Sequence, residues 1–147
     1  MPGSLVLDAS ILVKLYLPEA GSEAAEALVY NALAIGDDLV GPAFLPAEVL
    51  SVLRRARQRG IIPLEQAEVV FDAFFSLPID YVDGREVYER AWRLAADLDL
   101  PVLYDAVYLA VAELREATFW TADESMLHLA RAAGLPYVRA LPASPPA

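Results

Sequence analysis

Ser4-Leu-Val-Leu-Asp8 is an apolar run that stops at a charge, and helical pattern follows it at once from Ile11 to Leu17. A short uninterrupted apolar stretch is how a strand buried on both faces reads, and such strands belong to parallel sheets covered by helices. The same alternation continues down the chain. Ser10 is placed to cap the first helical segment, which ends at Pro18, and a second helix starts near Ser22 and stops at Gly36-Asp37-Asp38. Leu39 to Phe44 reads as a strand made short or irregular by Gly41-Pro42. Pro46 opens a helix that runs to Gly60, and Leu64 to Phe75 forms another. A brief strand at Pro78 to Val82 precedes helices at Arg85 to Leu98 and Leu103 to Glu116. Ala117 to Thr121 is a strand, Glu124 to Ala133 a helix, and Tyr137 to Leu141 the last strand. Parallel strands need crossover connections, so this order predicts an α/β/α sandwich around a mostly parallel sheet of about five strands, with seven helices.

The 147 residues fit a single domain, 1–147, with a frayed tail expected at 142–147. Cysteine is absent, which excludes a disulfide framework and thiolate metal sites and fits a reducing compartment. The first residues reach Asp8 too soon for a signal peptide, and no apolar run approaches the roughly 20 residues of a membrane span. A soluble protein of the cytoplasm, with no membrane contact, is expected. Lys plus Arg number 11 and Asp plus Glu 21, for a net charge of −10. That balance opposes non-specific binding to polyanions. It is compatible with a nuclease, because a bound divalent ion reverses the local field.

Four carboxylates stand at the junctions of this pattern. Asp8 ends the first strand, Asp123 follows the strand Ala117 to Thr121, and Glu48 and Asp105 fall in the first turns of their helices. Each has an ordinary structural explanation: Asp123 is placed to cap the next helix, and the helix dipole favours acids at Glu48 and Asp105. Yet Glu48 and Asp105 are flanked by Ala47, Val49, Leu50, Ala106, Val107 and Tyr108, so both helix starts are expected to be buried. A buried carboxylate is costly without a partner. In an open parallel sheet, side chains at the carboxyl ends of strands converge on one crevice whatever their separation in sequence. Carboxylates gathered there call for a hard cation such as Mg²⁺ or Mn²⁺.

Val6-Leu-Asp-Ala-Ser-Ile-Leu-Val-Lys14, Pro46-Ala-Glu-Val-Leu50, Leu103-Tyr-Asp-Ala-Val-Tyr-Leu-Ala110 and Thr121-Ala-Asp123, in this order, resemble the four acidic motifs of the PIN-domain nucleases, and most of all the VapC toxins of VapBC toxin–antitoxin pairs. The resemblance extends from Leu5 to about Leu141. It implies a PIN-like fold and a metal-dependent endoribonuclease in which Asp8, Glu48, Asp105 and Asp123 hold Mg²⁺ or Mn²⁺ and are the catalytic residues, with Asp8 and Asp105 direct ligands. Ser10 and Thr121 match the small hydroxyl positions that orient carboxylates or water. One or two ions would activate water, and two would lie about 3.5–4 Å apart. The implied partners are an RNA substrate, a cognate antitoxin and a second copy of the chain. One departure is Glu124-Ser125, where relatives often carry basic residues.

Outside these motifs several features keep two readings. Arg54, Arg55, Arg57 and Arg59 are either substrate-phosphate contacts or a solvated helix end. Phe71, Phe74 and Phe75 are either core or the groove for an antitoxin helix or dimer contact. Lys14 pairs with a carboxylate near the site or extends to water. His128 is the only histidine and argues against zinc or histidine-based chemistry. Three other functions compete: a phosphoacceptor switch, which the single acid in Asp8-Ala9-Ser10 disfavours; a housekeeping RNA-processing nuclease without antitoxin; and a non-catalytic binding module in a repressor complex.

Overall fold

In the computed structural model, which describes residues 3–142, Ser4–Leu7 (β1) lies at the centre of a sheet, paired with Asp38–Pro42 (β2) on one side and Thr118–Thr121 (β4) on the other. Ile79–Val82 (β3) flanks β2 and Val138–Ala140 (β5) flanks β4, giving the order β3-β2-β1-β4-β5. Every pairing is parallel, where a mostly parallel sheet was expected. Burial follows position. Leu5, Val6 and Leu7 are consecutive buried residues, whereas the edge strand β3 has no fully buried residue. Most of the expected tail, residues 143–147, lies outside the described residues.

The connections are Ala9–Leu12 (α1), Ser22–Ala34 (α2), Leu45–Gln58 (α3), Leu64–Phe75 (α4), Arg85–Asp97 (α5), Tyr104–Leu114 (α6) and Glu124–Ala133 (α7). Two local readings are corrected. The expected helix over residues 11–17 is a single α-turn followed by a 3-10 turn at Val13–Leu15. Its N-cap is Asp8, not Ser10: Asp8 has extended backbone and accepts the Ile11 N–H, while Ser10 already lies inside the helix. A carboxylate two residues earlier competed successfully for the same orphan donors.

Strand β2 turns into α3 within a few residues, and the start of α3 packs closely over Gly41. A Cβ at Gly41 would stand 2.6 Å from Cδ2 of the fully buried Leu45, so the strand and the start of α3 are in direct contact. This fixes Glu48 close to the carboxyl end of β2. Helix α6 is apolar all round from Ala106 to Ala112 because it packs against α5 and against β1, β2 and β4. Its first turn, with Asp105, is thereby anchored to the sheet.

Candidate active site

From β1 the chain moves outward through β2 and β3 on one side, then returns to place β4 and β5 on the other. Connections therefore diverge between β1 and β4, and the crevice beyond their carboxyl ends is where open α/β sheets bind ligands. Asp8 follows β1 there, and Asp123 follows β4.

Asp8 is held on both carboxylate oxygens. The Ser10 and Thr121 hydroxyls each donate to it, and the Ile11 N–H adds a third bond of 3.3 Å. Those two hydroxyls also stitch β1 to β4. Ser10 Oγ accepts the Ala122 N–H at 2.9 Å, and Thr121 Oγ1 accepts the Asp123 N–H at 3.1 Å. Thr121 is the one fully buried polar side chain among the described residues, and its hydroxyl donates to Asp8, accepts from the Asp123 N–H and lies 3.5 Å from Ser10 Oγ. Burial nonetheless dominates, pushing the Asp8 carboxyl up to about 6 against the lowering effect of its three donors.

Glu48 has a single strong partner. The hydroxyl of Tyr108, a buried residue of α6, donates to Glu48 Oε1. Burial raises Glu48 above the ordinary carboxylate range, and the charge of Asp105 adds to it. Asp105 is itself raised, by partial desolvation and then by Asp123, whose charge also reaches Asp8. The four acids are thus joined by mutual repulsion in the order Glu48, Asp105, Asp123, Asp8. Asp105 and Asp123 are solvent-exposed, which corrects the expectation of a buried start for α6: burial begins one residue later, at Ala106. Asp123 caps α7 through the N–H groups of Ser125 and Met126, so its structural explanation holds alongside its place in the crevice.

Among the described residues, no Lys or Arg forms an ion pair with any of these four carboxylates. Nor do three or more of the Asp, Glu and His side chains stand, as placed, in a group ready to hold an ion. The donor set is all oxygen, as Mg²⁺ or Mn²⁺ requires, and its accumulated charge is uncompensated by protein. In chemistry the residues fit a hard divalent cation. A closed arrangement would require the exposed side chains of Asp105 and Asp123 to rotate.

The remaining candidates lie elsewhere. Lys14 turns away to Glu19, at 3.2 Å, and to the Ala20 carbonyl, at 2.7 Å. The arginines occupy the opposite end of α3 from Glu48, and at 1.5 Å per residue Arg59 is about 16 Å from it along the axis. His128 is exposed on α7. Phe74 is fully buried, which removes it from any partner surface, whereas Phe71 and Phe75 are 48% and 51% exposed. Tyr108 was not singled out from the sequence. Its signal was the one hydroxyl within the apolar run Ala106–Ala112, three residues after Asp105.

Residues 5–132 match the family model described as PIN domain. Ribonuclease VapC3 of Pyrobaculum aerophilum is 32% identical over 126 residues, covering 83% of this chain and 91% of that protein. Ribonuclease VapC1 of Mycobacterium tuberculosis is 31% identical over 132 residues, covering 89% and 92%. The chain belongs to the PIN-domain family, on its VapC branch. Its fold is also that of a chain in the crystal structure of VapBC2 from Rickettsia felis bound to a DNA fragment from their promoter, with a TM-score of 0.67 at 16% identity over 95% of this chain and 99% of that one.

Thr121 offers a direct probe of how Asp8 is held. Thr121→Val preserves volume but removes a donor from Asp8 and the acceptor of the Asp123 N–H, at a cost of about 1–3 kcal/mol. Losing a donor to the charged form raises the Asp8 carboxyl further above 6. Chemical denaturation and carboxyl-carbon NMR titration should show both effects, and Thr121→Ser should reverse them.

Proposed function

We propose that this protein is a Mg²⁺- or Mn²⁺-dependent endoribonuclease, the toxin of a type II toxin–antitoxin pair acting in the cytoplasm. The observation that carries the reading is the linked set Glu48, Asp105, Asp123 and Asp8 at the divergence of β1 and β4 in a PIN-domain chain, uncompensated by any protein cation. Membership of the VapC branch supports RNA as substrate, since the relatives are named as ribonucleases. All four carboxylates would hold the ion, with Asp8 and Asp105 as direct ligands and Glu48 and Asp123 ligating directly or through water. When bound, the ion makes a coordinated water more acidic and offsets charge on the leaving oxygen.

The chain's own residues supply position. Ser10 and Thr121 fix both oxygens of Asp8, and Tyr108 fixes Glu48, so these two acids are pre-oriented while Asp105 and Asp123 rotate to join them. No side chain serves as nucleophile; water attacks the phosphodiester.

A partner surface is supported by α4. Leu64, Phe71 and Phe75 leave an apolar face of α4 exposed, suited to the helix of an antitoxin or to a second copy of this chain. Membership of the VapC branch, more than this face, favours the toxin reading over a housekeeping nuclease without an antitoxin.

Purified protein should cleave RNA with added Mg²⁺ or Mn²⁺ and stop in EDTA. Either ion should also raise the melting temperature, because binding to the folded state alone stabilises it. Calorimetry showing no Mn²⁺ binding, together with no cleavage of total RNA, would overturn the reading in favour of a non-catalytic module.

A further inference from the structure

Tyr104 opens α6 immediately before Asp105, and it is 61% exposed. An exposed tyrosine on a helix end is ordinarily free to rotate. Here its ring is braced edge-to-face against Phe44, with centroids 5.4 Å apart and planes at 86°. Phe44 is braced in turn against Tyr108, at 5.6 Å and 84°, and Tyr108 stacks on the buried Phe119 at 5.4 Å and 8°. Four rings therefore connect the core at β4 to the surface beside Asp105. The same column carries Glu48, one helical turn after Phe44 and bonded to the Tyr108 hydroxyl. An aromatic ring with most of its surface in water thus rests on a column anchored in the core, next to Asp105 in the chain.

We propose that Tyr104 is a stacking platform for an unpaired nucleobase of the RNA, adjacent to the phosphate presented to the carboxylates. The inference rests on the nuclease reading above and adds to it a substrate-positioning residue outside the four carboxylates. Every base has a π-face, so a platform of this kind is tolerant of sequence but intolerant of pairing. It also suits the charge of this protein. At a net charge of −10, backbone attraction contributes little, and stacking supplies contact that salt does not screen. Bracing by Phe44 means that little ring freedom is lost on binding. The exposed Val102, two residues earlier, extends the apolar surface next to the platform.

The test uses the full chain with Ca²⁺, which suppresses turnover, and a fluorescein-labelled unstructured oligoribonucleotide of mixed sequence or its duplex. Tyr104→Ala should weaken binding of the single strand by about 5- to 150-fold, the worth of one stacked base. Tyr104→Phe and Tyr104→Trp should retain it, and duplex binding should be weak and equal in all forms. In Mn²⁺, Tyr104→Ala should raise KM far more than it lowers kcat, with Mn²⁺ affinity by calorimetry unchanged. Equal single-strand affinity of Tyr104→Ala and the unaltered protein overturns the platform, as does no detectable binding by either. Loss in Tyr104→Phe equal to that in Tyr104→Ala also overturns it, assigning the contact to the hydroxyl. Single-strand binding that depends on Tyr104 in a protein that cleaves no RNA would instead overturn the nuclease reading and leave the platform standing.

Discussion

Asp8→Asn should abolish metal-dependent RNA cleavage and at the same time make the metal-free protein more stable at neutral pH. Both effects have one origin. Asp8 is largely buried, its carboxyl is pushed up to about 6, and no protein cation compensates it. Its unfolded value is near 3.8, so the folded state binds the extra proton between about pH 4 and 6. Stability from the protonated form is fully present below pH 4 and is lost as pH rises through 6. Above that, holding the charged form in the fold costs at most about 3 kcal/mol, two units at 1.36 kcal/mol each. Asparagine removes the charge; its amide oxygen still accepts the Ile11 N–H as an N-cap and the Ser10 hydroxyl, and its amide N–H donates to Thr121 Oγ1 in place of the bond the carboxylate accepted. Melting in EDTA at pH 7.5 should show a gain of several degrees for the variant, shrinking toward zero as pH approaches 4. Added Mn²⁺ should reverse the order by stabilising only the unaltered protein. If Asp8→Asn cleaves RNA normally, the assignment of Asp8 fails; if it is destabilised at neutral pH, its burial is compensated by something other than a metal.

That trade explains why Asp8 was legible in the sequence and Tyr108 was not. A charge after Ser4-Leu-Val-Leu stands out because burial on both sides makes it expensive, and the same apolar run identified the central strand. Tyr108 lies among Ala106, Val107, Leu109 and Ala110, where an aromatic ring reads as core, and as a ring it is core. Only its hydroxyl reaches the crevice, where it donates to Glu48, and only the approach of α3 shows where that points. Ser10 was misplaced for a related reason. Asp8 and Ser10 are both good caps, and choosing between them depends on β4 arriving beside β1 with Thr121 and Ala122 to occupy the serine. The edge strands were found but offered little by pattern, since β3 and β5 bury few residues.

Phe74→Ala should cost about 3–5 kcal/mol, a large part of the stability of a single domain, while Phe71→Lys with Phe75→Lys should leave stability nearly unchanged. Sequence spacing alone treats the three alike. In the fold they belong to two stripes of α4 about 100° apart. Val70 and Phe74, four residues apart, face inward and are buried; Phe71 and Phe75, also four apart, face solvent with their rings 5.0 Å from each other. Phe74 joins the stripes by its edge contact with Phe75, at 5.2 Å, so the exposed pair rests on a rigid base. Urea denaturation of Phe74→Ala should therefore show a lowered midpoint, and the charged double variant should not. The surface proposed for a partner makes the opposite prediction for assembly. Phe71→Lys/Phe75→Lys should remain folded and metal-binding but fail to form the dimer or antitoxin complex by light scattering and co-purification. Assembly that survives both lysines would leave α4 a merely exposed apolar face, and the partner would have to dock elsewhere.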